Sequence, residues 1–322
     1  MTTELKPHVV GIDIGGTNTV FGIVDARGNI LATSSIKTQK HQQFEKYLEE
    51  LSTELSKLIS ENGGIESIKG IGVGAPNANF YSGNIEEAPN LPWKGIIPFA
   101  KILSEKFGVP VALTNDANAA AIGEMTYGAA RGMKDFIMIT LGTGVGSGIV
   151  ANGQLIYGYD GFAGELGHTI IRRGGRPCGC GLNGCLETYA SATGVARTAR
   201  EFLENRKNED SLLRKLPLDQ ITSKDVSEAA AQGDQIAKDV YAFTGQILGE
   251  AFADFIKFST PEAIVLFGGL AKAGDLLLIP LRKAMEENLL PIFRNRMKIL
   301  FSEMKDSDAA VLGASALAWE AK

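Results

Sequence analysis

The sequence is poor in cysteine and histidine, and it lacks both long apolar runs and blocks of basic residues. It contains three cysteines and three histidines in 322 residues. No uninterrupted apolar stretch approaches the roughly 18 residues of a membrane-spanning helix, and the first residues contain no apolar signal region. Lys and Arg number 32 against 37 Asp and Glu, so the formal net charge is −5. A weakly acidic chain without a basic block binds nucleic acid poorly. We therefore expect a cytoplasmic globular protein.

The amino-acid composition is that of an ordinary globular protein except for its glycine content. Hydrophobic residues make up 44% and charged residues 21% of the chain, and its length predicts two domains. Glycine accounts for 38 of the 322 residues, about 12% against a typical value of about 7%. Excess glycine indicates tight turns, often where a ligand approaches the main chain.

All three cysteines lie within eight residues of one another. Cys178, Cys180 and Cys185 are separated by glycine-rich sequence, and His168 precedes Cys178 by ten residues. An odd number of cysteines without a signal region argues against a disulfide framework. Tetrahedral zinc takes four Cys or His ligands. The cluster therefore predicts a structural Cys3His zinc site, and the alternative is a set of small buried thiols.

Hydrophobic patterns predict two series of elements in similar order, which indicates a duplicated α/β architecture. The first series comprises strands His8–Ile14, Thr17–Asp25 and Ile30–Lys37, helix Phe44–Asn62, strand Ile68–Gly74, helix Pro98–Phe107, strand Val109–Thr114 and helix Ala117–Ala129. The second comprises strands Phe136–Leu141, Gly146–Asn152 and Gln154–Tyr157, helices Ser191–Asn205 and Asp234–Phe258, strand Ala263–Phe267, helix Leu276–Leu290, strand Lys298–Phe301 and helix Ala309–Ala321. The segments Pro76–Trp93 and Arg206–Lys224 are predicted to be loops.

Two glycine turns between predicted strands are candidate phosphate-binding loops. The chain has no Gly-x4-Gly-Lys-Ser/Thr motif, and its one Gly-x-Gly-x-x-Gly match is interleaved with the cysteines. We name Asp13–Asn18 the first glycine hairpin and Leu141–Gly146 the second. A lone glycine hairpin is usually only a turn, but two in matching positions indicate a cleft that holds nucleotide phosphates through backbone N–H groups. Asp13 could hold Mg²⁺ through water. The other predicted phosphate-binding residues are Gly15, Gly16, Thr17, Asn18, Gly142, Thr143 and Gly144.

These motifs together resemble the ROK family (repressor, open reading frame, kinase) along essentially the whole chain. The resemblance rests on Asp13–Thr17, on Thr114–Ala120, on Leu141–Gly148, on Gly164–His168 and on Cys178–Glu187. It implies the actin-like, ribonuclease-H-like ATPase fold, an α/β fold of two duplicated lobes with a central cleft. The first lobe would comprise residues 1–117 together with 303–322, and the second residues 118–302. The final helix would then pack onto the first lobe.

The resemblance also implies roles for individual residues. Asp116 matches the general base of the family's Asn-Asp-Ala-Asn motif, although from its position alone Asp116 could equally be a helix N-cap. Asn115 matches a residue that binds a sugar hydroxyl. Glu165, His168 and Glu187 match residues that contact the sugar, with His168 also serving the zinc. Gly268 and Gly269 resemble the site of the adenosine, or form a simple strand-to-helix turn.

The implied activity is ATP-dependent phosphorylation of a hexose, with glucose favoured as the substrate and ATP, Mg²⁺ and structural Zn²⁺ as cofactors. An N-acetylmannosamine kinase or a fructose or mannose kinase would share the same motifs, and polyphosphate is an alternative phosphate donor. A sugar-responsive repressor would carry a helix-turn-helix segment ahead of the sugar domain, whereas here Asp13 is reached almost at once. A non-catalytic sugar sensor would not need Asp116 together with both hairpins.

The family resemblance also predicts a homodimer or a higher homo-oligomer. Asn77 departs from the glycine that many members carry after Ala-Pro.

Overall fold

The computed structural model describes residues 6–321, so residues 1–5 and residue 322 of the predicted first lobe lie outside the described part. Contacts within the chain divide it into two compact units. The first consists of Met1–Lys134, Gly148–Gly164 and Ser302–Lys322, and the second of Asp135–Ser147 and Glu165–Phe301. No helix of the described chain is both long enough and apolar enough to cross a bilayer.

The first unit is built on a mixed five-stranded sheet. Its strands are β1 His8–Ile14, β2 Thr19–Asp25, β3 Ile30–Ile36, β4 Ile68–Gly74 and β8 Val111–Thr114. Their order is β3-β2-β1-β4-β8, in which β1, β2 and β3 form an antiparallel meander and β1, β4 and β8 are parallel. The predicted strands agree with these bounds to within two residues, because short apolar runs bounded by glycine and other turn residues mark their ends.

Helices cover this sheet. They are α1 Phe44–Glu61, α2 Phe99–Phe107, α3 Asp116–Tyr127 and α9 Asp306–Ala318. The C-terminal helix α9 packs against β1, β4 and α3, as expected for a final helix that returns to the first unit. Glycines in the strands allow this approach, because a Cβ on Gly72 would lie only 1.9 Å from the carbonyl oxygen of Ala314.

A buried aromatic cluster holds α1 to the sheet and to the following loop. The Tyr47 and Trp93 rings lie 4.3 Å apart, and the Tyr47 hydroxyl hydrogen-bonds Thr19 at 2.8 Å. Trp93 donates from Nε1 to the main-chain oxygen of His41 at 3.0 Å. Trp93 is therefore a core residue that fixes the end of the Pro76–Trp93 segment.

The Pro76–Trp93 segment and the residues after it contain a small antiparallel sheet that the sequence analysis missed. Its strands are β5 Ala78–Asn79, β6 Asn84–Glu86 and β7 Ile96–Ile97, in the order β5-β6-β7. Strands of two or three residues are too short to produce a readable alternation. Only the tertiary structure therefore distinguishes them from loop.

The second half of the chain repeats the sheet order of the first. Its strands are β9 Phe136–Leu141, β10 Val145–Ala151, β11 Gln154–Leu155, β12 Ala263–Phe267 and β13 Lys298–Phe301. Their order is β11-β10-β9-β12-β13, and β12 is parallel to both β9 and β13. The same order in both sheets confirms the predicted duplication.

The helices of the second unit pack largely against one another. They are α4 Glu187–Ala190, α5 Ala192–Asn205, α6 Ser223–Ala231, α7 Gln235–Ser259 and α8 Asp275–Asn288. The prediction missed α4 and α6, and it assigned Arg206–Lys224 to loop although α6 begins at Ser223. Helix α6 begins with a capping box between Thr222 and Asp225, a signal of helix initiation that was present in the sequence.

Candidate active site

Parallel strands bring the predicted catalytic residues of the first unit together. Asp13 at the end of β1 pairs with Gly74 at the end of β4, and Gly74 pairs with Thr114 at the end of β8. The first glycine hairpin follows β1, and Asn115 and Asp116 follow β8. The carboxyl ends of adjacent parallel strands are the usual position of ligands in α/β sheets. The first hairpin and the Asn-Asp motif therefore share one edge of the sheet.

Asp13 and Asp116 are close neighbours, and each carboxyl group resists ionisation. A Cβ on Gly74 would lie 3.6 Å from Oδ1 of Asp13 and 3.7 Å from Cα of Asp116. Burial, followed by the charge of Asp116, raises the pKa of Asp13 to about 7. Asp116 is solvent-accessible, but the protein atoms around it displace much of its hydration, and this desolvation raises its pKa. A divalent cation would stabilise such a pair of carboxylates.

The cap of α3 is Asn115, so the interpretation of Asp116 as the N-cap is wrong. The Asn115 side-chain oxygen accepts from the Asn118 N–H at 2.7 Å. Asp116 is the first helical residue, and its Oδ1 accepts from the adjacent Ala117 N–H at 2.9 Å. Capping uses the amide oxygen of Asn115 and leaves its NH2 group able to donate to a ligand.

Asn77 occupies a backbone conformation that explains its departure from the family's glycine. Its φ is 50°, in the left-handed region that glycine adopts freely and that asparagine tolerates better than most residues. Its side-chain NH2 donates to the main-chain oxygen of Glu86 at 3.1 Å. Asparagine therefore keeps the turn that glycine would make.

In the second unit, the parallel strands β9 and β12 bring two predicted nucleotide-binding segments together. Leu266 and Phe267 pair with Ile139 and Thr140, so the second glycine hairpin and the Gly268-Gly269 turn leave the same edge of the sheet. Gly268 has a φ of 106°, and a Cβ there would lie 2.5 Å from the Leu141 carbonyl oxygen. The turn therefore requires glycine both for its conformation and for its contact with the hairpin.

The three cysteines and His168 converge with the spacing of a tetrahedral metal site. Their four ligand atoms all lie within 4.8 Å of one another. Sγ of Cys180 and Sγ of Cys185 are 3.7 Å apart, as are Sγ of Cys178 and Nδ1 of His168. Zn–S bonds of about 2.3 Å in a tetrahedron place two sulfurs about 3.8 Å apart. The four donors fit zinc, and the sulfurs are too far apart for a disulfide.

The two predicted sugar-binding glutamates have different environments. Glu165 is exposed and immediately precedes a single 3-10 turn, Leu166–His168. Glu187 begins α4 and is partly buried. Its Oε2 accepts from the Val145 N–H at 3.1 Å, and its Oε1 lies 3.6 Å from Sγ of Cys178. Glu187 thus lies between the cysteine cluster and the second glycine hairpin.

Arg176 is a buried residue that the sequence analysis did not identify. Its guanidinium donates to the main-chain oxygen of Thr188 at 2.9 Å and to the Thr198 hydroxyl at 2.9 Å, pairs with Glu201, and lies 4.4 Å from the Tyr189 ring centroid. It therefore ties the cysteine loop to α4 and α5. In the sequence it is one of three arginines shortly before Cys178, and nothing in the local pattern distinguishes it from Arg172 and Arg173.

Comparison with known proteins assigns the chain to a family. The profile of the ROK family matches residues 9–321. The glucokinase of Halalkalibacterium halodurans is 40% identical over 307 residues, which cover 94% of this chain and 92% of that protein. The chain therefore belongs to the ROK family, whose sugar kinases have the actin-like ATPase fold.

Relatives of this chain include both kinases and regulators. The crystal structure of a ROK family glucokinase from Streptomyces griseus, in complex with glucose and AMPPNP, has a TM-score of 0.80 and 34% identity, covering 97% of this chain and 99% of that one. The xylose repressor of Caldicellulosiruptor bescii is 29% identical over 96% of this chain, which covers 77% of that protein.

Proposed function

We propose that the chain is an ATP-dependent hexose kinase that phosphorylates the 6-hydroxyl group of glucose. The observation that carries the proposal is the proximity of the Asp116 and Asp13 carboxyl groups at the sheet edge that bears the first glycine hairpin. A kinase needs a base that accepts the proton of the attacking hydroxyl, and close to it groups that bind the phosphates and the Mg²⁺ ion. The identity to known glucokinases supports glucose as the acceptor.

Asp116 would act as the general base. The 6-hydroxyl oxygen of glucose attacks the γ-phosphorus of ATP, its proton passes to the Asp116 carboxylate, and ADP leaves. A raised pKa makes the carboxylate a stronger base once ionised. Asn115 would hold the sugar through its free NH2 group. By the family resemblance, Glu165, His168 and Glu187 would bind further sugar hydroxyls, since a carboxylate can accept two hydroxyl hydrogens at once.

The nucleotide would be bound by both glycine hairpins. Their backbone N–H groups and the hydroxyls of Thr17 and Thr143 are donors suited to phosphate oxygens. Gly15, Gly16 and Asn18 would complete the first binding segment, Gly142 and Gly144 the second, and Gly268 and Gly269 would border the adenosine. Asp13 would hold Mg²⁺, which when bound neutralises charge on the phosphates. Zinc would be structural, held by His168, Cys178, Cys180 and Cys185, because its four positions are filled by protein ligands.

Two further aspects of the proposal come from the family resemblance. We place the boundaries of the functional lobes at residues 1–117 with 303–322, and at 118–302. We also propose that the enzyme works in the cytoplasm as a homodimer or higher homo-oligomer, with small-molecule substrates and no nucleic-acid partner.

The deciding experiment is a coupled assay of ADP release with glucose, mannose, fructose, N-acetylglucosamine and N-acetylmannosamine. We expect the highest kcat/KM for glucose. A higher value for N-acetylmannosamine would reassign the substrate, and sugar binding without ADP release would favour a sensor or repressor. Polyphosphate in place of ATP, with glucose 6-phosphate as the readout, tests the identity of the donor.

A further inference from the structure

The second glycine hairpin is held in place by side chains and backbone groups outside its own strands. Besides accepting from the Val145 N–H, the carboxylate of Glu187 packs directly on the hairpin backbone. A Cβ on Gly144 would lie only 2.2 Å from Oε2 of Glu187. Glycine at position 144 is therefore required for the carboxylate to reach the hairpin.

The start of α5 anchors two further hairpin residues. The Ala192 N–H donates to the main-chain oxygen of Gly142 at 2.8 Å, and the Thr193 hydroxyl donates to that of Thr143 at 3.0 Å. Ser191, the N-cap of α5, hydrogen-bonds the Thr193 hydroxyl at 2.9 Å. We name the segment Glu187–Thr193 the α4–α5 corner. It contacts Gly142, Thr143 and Val145 of the hairpin.

We propose that Glu187 and the α4–α5 corner are positioning elements for nucleotide binding, with Glu187 serving this role in addition to any contact with the sugar. The inference rests on the proposed function, in which the second hairpin binds phosphate. A loop whose donors are already fixed loses less conformational entropy when an anion binds. Each anchor therefore raises phosphate affinity without touching the nucleotide.

The corner also connects the hairpin to the cysteine cluster. Oε1 of Glu187 lies 3.6 Å from Sγ of Cys178, while Oε2 accepts from the Val145 N–H of the hairpin. A Cβ on Gly167 would lie 2.0 Å from the Val145 carbonyl oxygen, and Gly167 immediately precedes His168. Val145 is therefore contacted at its amide by Glu187, two residues after Cys185, and at its carbonyl by Gly167, one residue before His168.

The test measures binding of Mg²⁺-AMPPNP by calorimetry in the absence of any sugar. Under this condition a glutamate that acts only on the sugar has no effect. We expect Glu187→Ala to weaken binding about 10- to 150-fold, as for the loss of one charge-assisted hydrogen bond. Glu187→Gln should remain within about 3-fold of the wild type, because its amide oxygen still accepts from Val145.

A second variant keeps the proposal testable if Glu187→Ala does not fold. Thr193→Val removes the bond to Thr143 and leaves the cysteine cluster intact, and we expect about 2- to 5-fold weaker AMPPNP binding. The matched control is Thr53→Val in α1, whose hydroxyl bonds only its own helix at Glu49; its affinity should be unchanged.

The outcomes separate this inference from the proposed function. A wild-type chain that does not bind AMPPNP refutes the nucleotide assignment itself. If the wild type binds but folded Glu187→Ala binds equally well, the positioning role is refuted while the kinase assignment stands. Where Glu187→Ala is unfolded, wild-type affinity in Thr193→Val refutes the positioning role in the same way.

Discussion

Asp116 has a solvent-accessible carboxyl group with a raised pKa, and it is not the N-cap of α3. Because Asn115 caps α3, Asp116 can be replaced without removing the helix cap. The sequence alone left base and cap equally weighted, since both interpretations need an acidic or amide side chain at the start of a helix. Only the hydrogen-bond partners of the two residues distinguish them.

We expect Asp116→Asn to lower kcat by about 10²- to 10⁴-fold, the usual effect of removing a general base. Glucose affinity should stay close to the wild-type value, and the free energy of unfolding should not fall, because the helix cap remains and the substitution removes a carboxyl group whose ionisation the fold disfavours. Steady-state kinetics and glucose titration check this. Near-normal kcat in a folded variant would rule out Asp116 as the base.

Asp13 gives the stability a defined pH dependence. Its folded pKa of about 7 lies well above the ordinary value of an aspartate, so the folded state favours the protonated form. The protonated Asp13 carboxyl therefore stabilises the folded protein fully below the pKa that Asp13 has in the unfolded chain. This stabilisation is lost as the pH rises through about 7. We expect Asp13→Asn to be more stable than the wild type at pH 8, by about 1–3 kcal/mol without Mg²⁺, and to differ less at pH 4.5. Urea unfolding at both pH values measures the gap.

Asp25 provides a matched control, because the pH dependence of its contribution to stability has the opposite sign. Hydrogen bonding from Asn29 lowers the pKa of this exposed carboxyl, so its stabilising effect is present above the unfolded pKa and is lost as the pH falls. Asp25→Asn should therefore lose stability at pH 8. A stability gap for Asp13→Asn that does not change with pH would contradict the assignment.

At the scale of elements, sequence patterns located the long strands and helices because hydrophobic periodicity and glycine turns specify them locally. The patterns did not reveal α4, whose four residues are held by Arg176, or the strands of the small sheet. These elements depend on contacts with residues distant in sequence. The cysteine spacing identified candidate ligands, but their convergence depends on the fold of the whole loop.

The approach of α9 to β4 should be sensitive to a single methyl group. A Cβ at position 72 would lie 1.9 Å from a backbone oxygen of α9, whereas at Gly70 in the same strand the nearest atom would be 3.1 Å away. We expect Gly72→Ala to lower the free energy of unfolding by about 3 kcal/mol or more, as overpacking does at its upper range, and Gly70→Ala to have a smaller effect. Denaturant unfolding compares them, and equal losses would contradict the packing argument.

The cysteine loop should depend on its metal. Elemental analysis of untagged protein should find one zinc per chain. Cys180→Ser should lose that zinc and unfold at a lower temperature, because metal binding stabilises loops that have little core of their own. Cys180 is exposed, so the substitution creates no cavity and the effect can be attributed to the metal. Full zinc occupancy in Cys180→Ser would exclude Cys180 as a ligand.

At the scale of the whole molecule, the duplicated sheet order was predictable from the repeated series of elements, whereas the composition of the compact units was not. Residues 148–164 belong to the first unit, although the strand β10, which continues into them, begins at Val145 in the second unit. No local pattern marks such a division, because it depends on which contacts are most numerous in the folded chain.

Removal of residues 305–322 should unfold the first unit selectively. Helix α9 covers β1 and β4, and its Val311 is fully buried. Without the helix, apolar strand surface would be exposed to water. Limited proteolysis of the truncated chain should cleave sites before residue 134 and spare the region 165–301. Equal protection of both regions would contradict this expectation.

The position of α9 also determines the order in which the nascent chain can mature. The strands that α9 covers are synthesised first, yet their covering helix begins at Asp306, 192 residues after β8 ends at Thr114. At about 5–20 residues per second, the ribosome needs roughly 10–40 s to cross that interval. During this time the second unit can fold, while the apolar face of β1 and β4 that α9 will cover stays exposed to water. The first part of the enzyme to be made is therefore the last to be completed, and until then it exposes apolar surface of the kind that promotes aggregation.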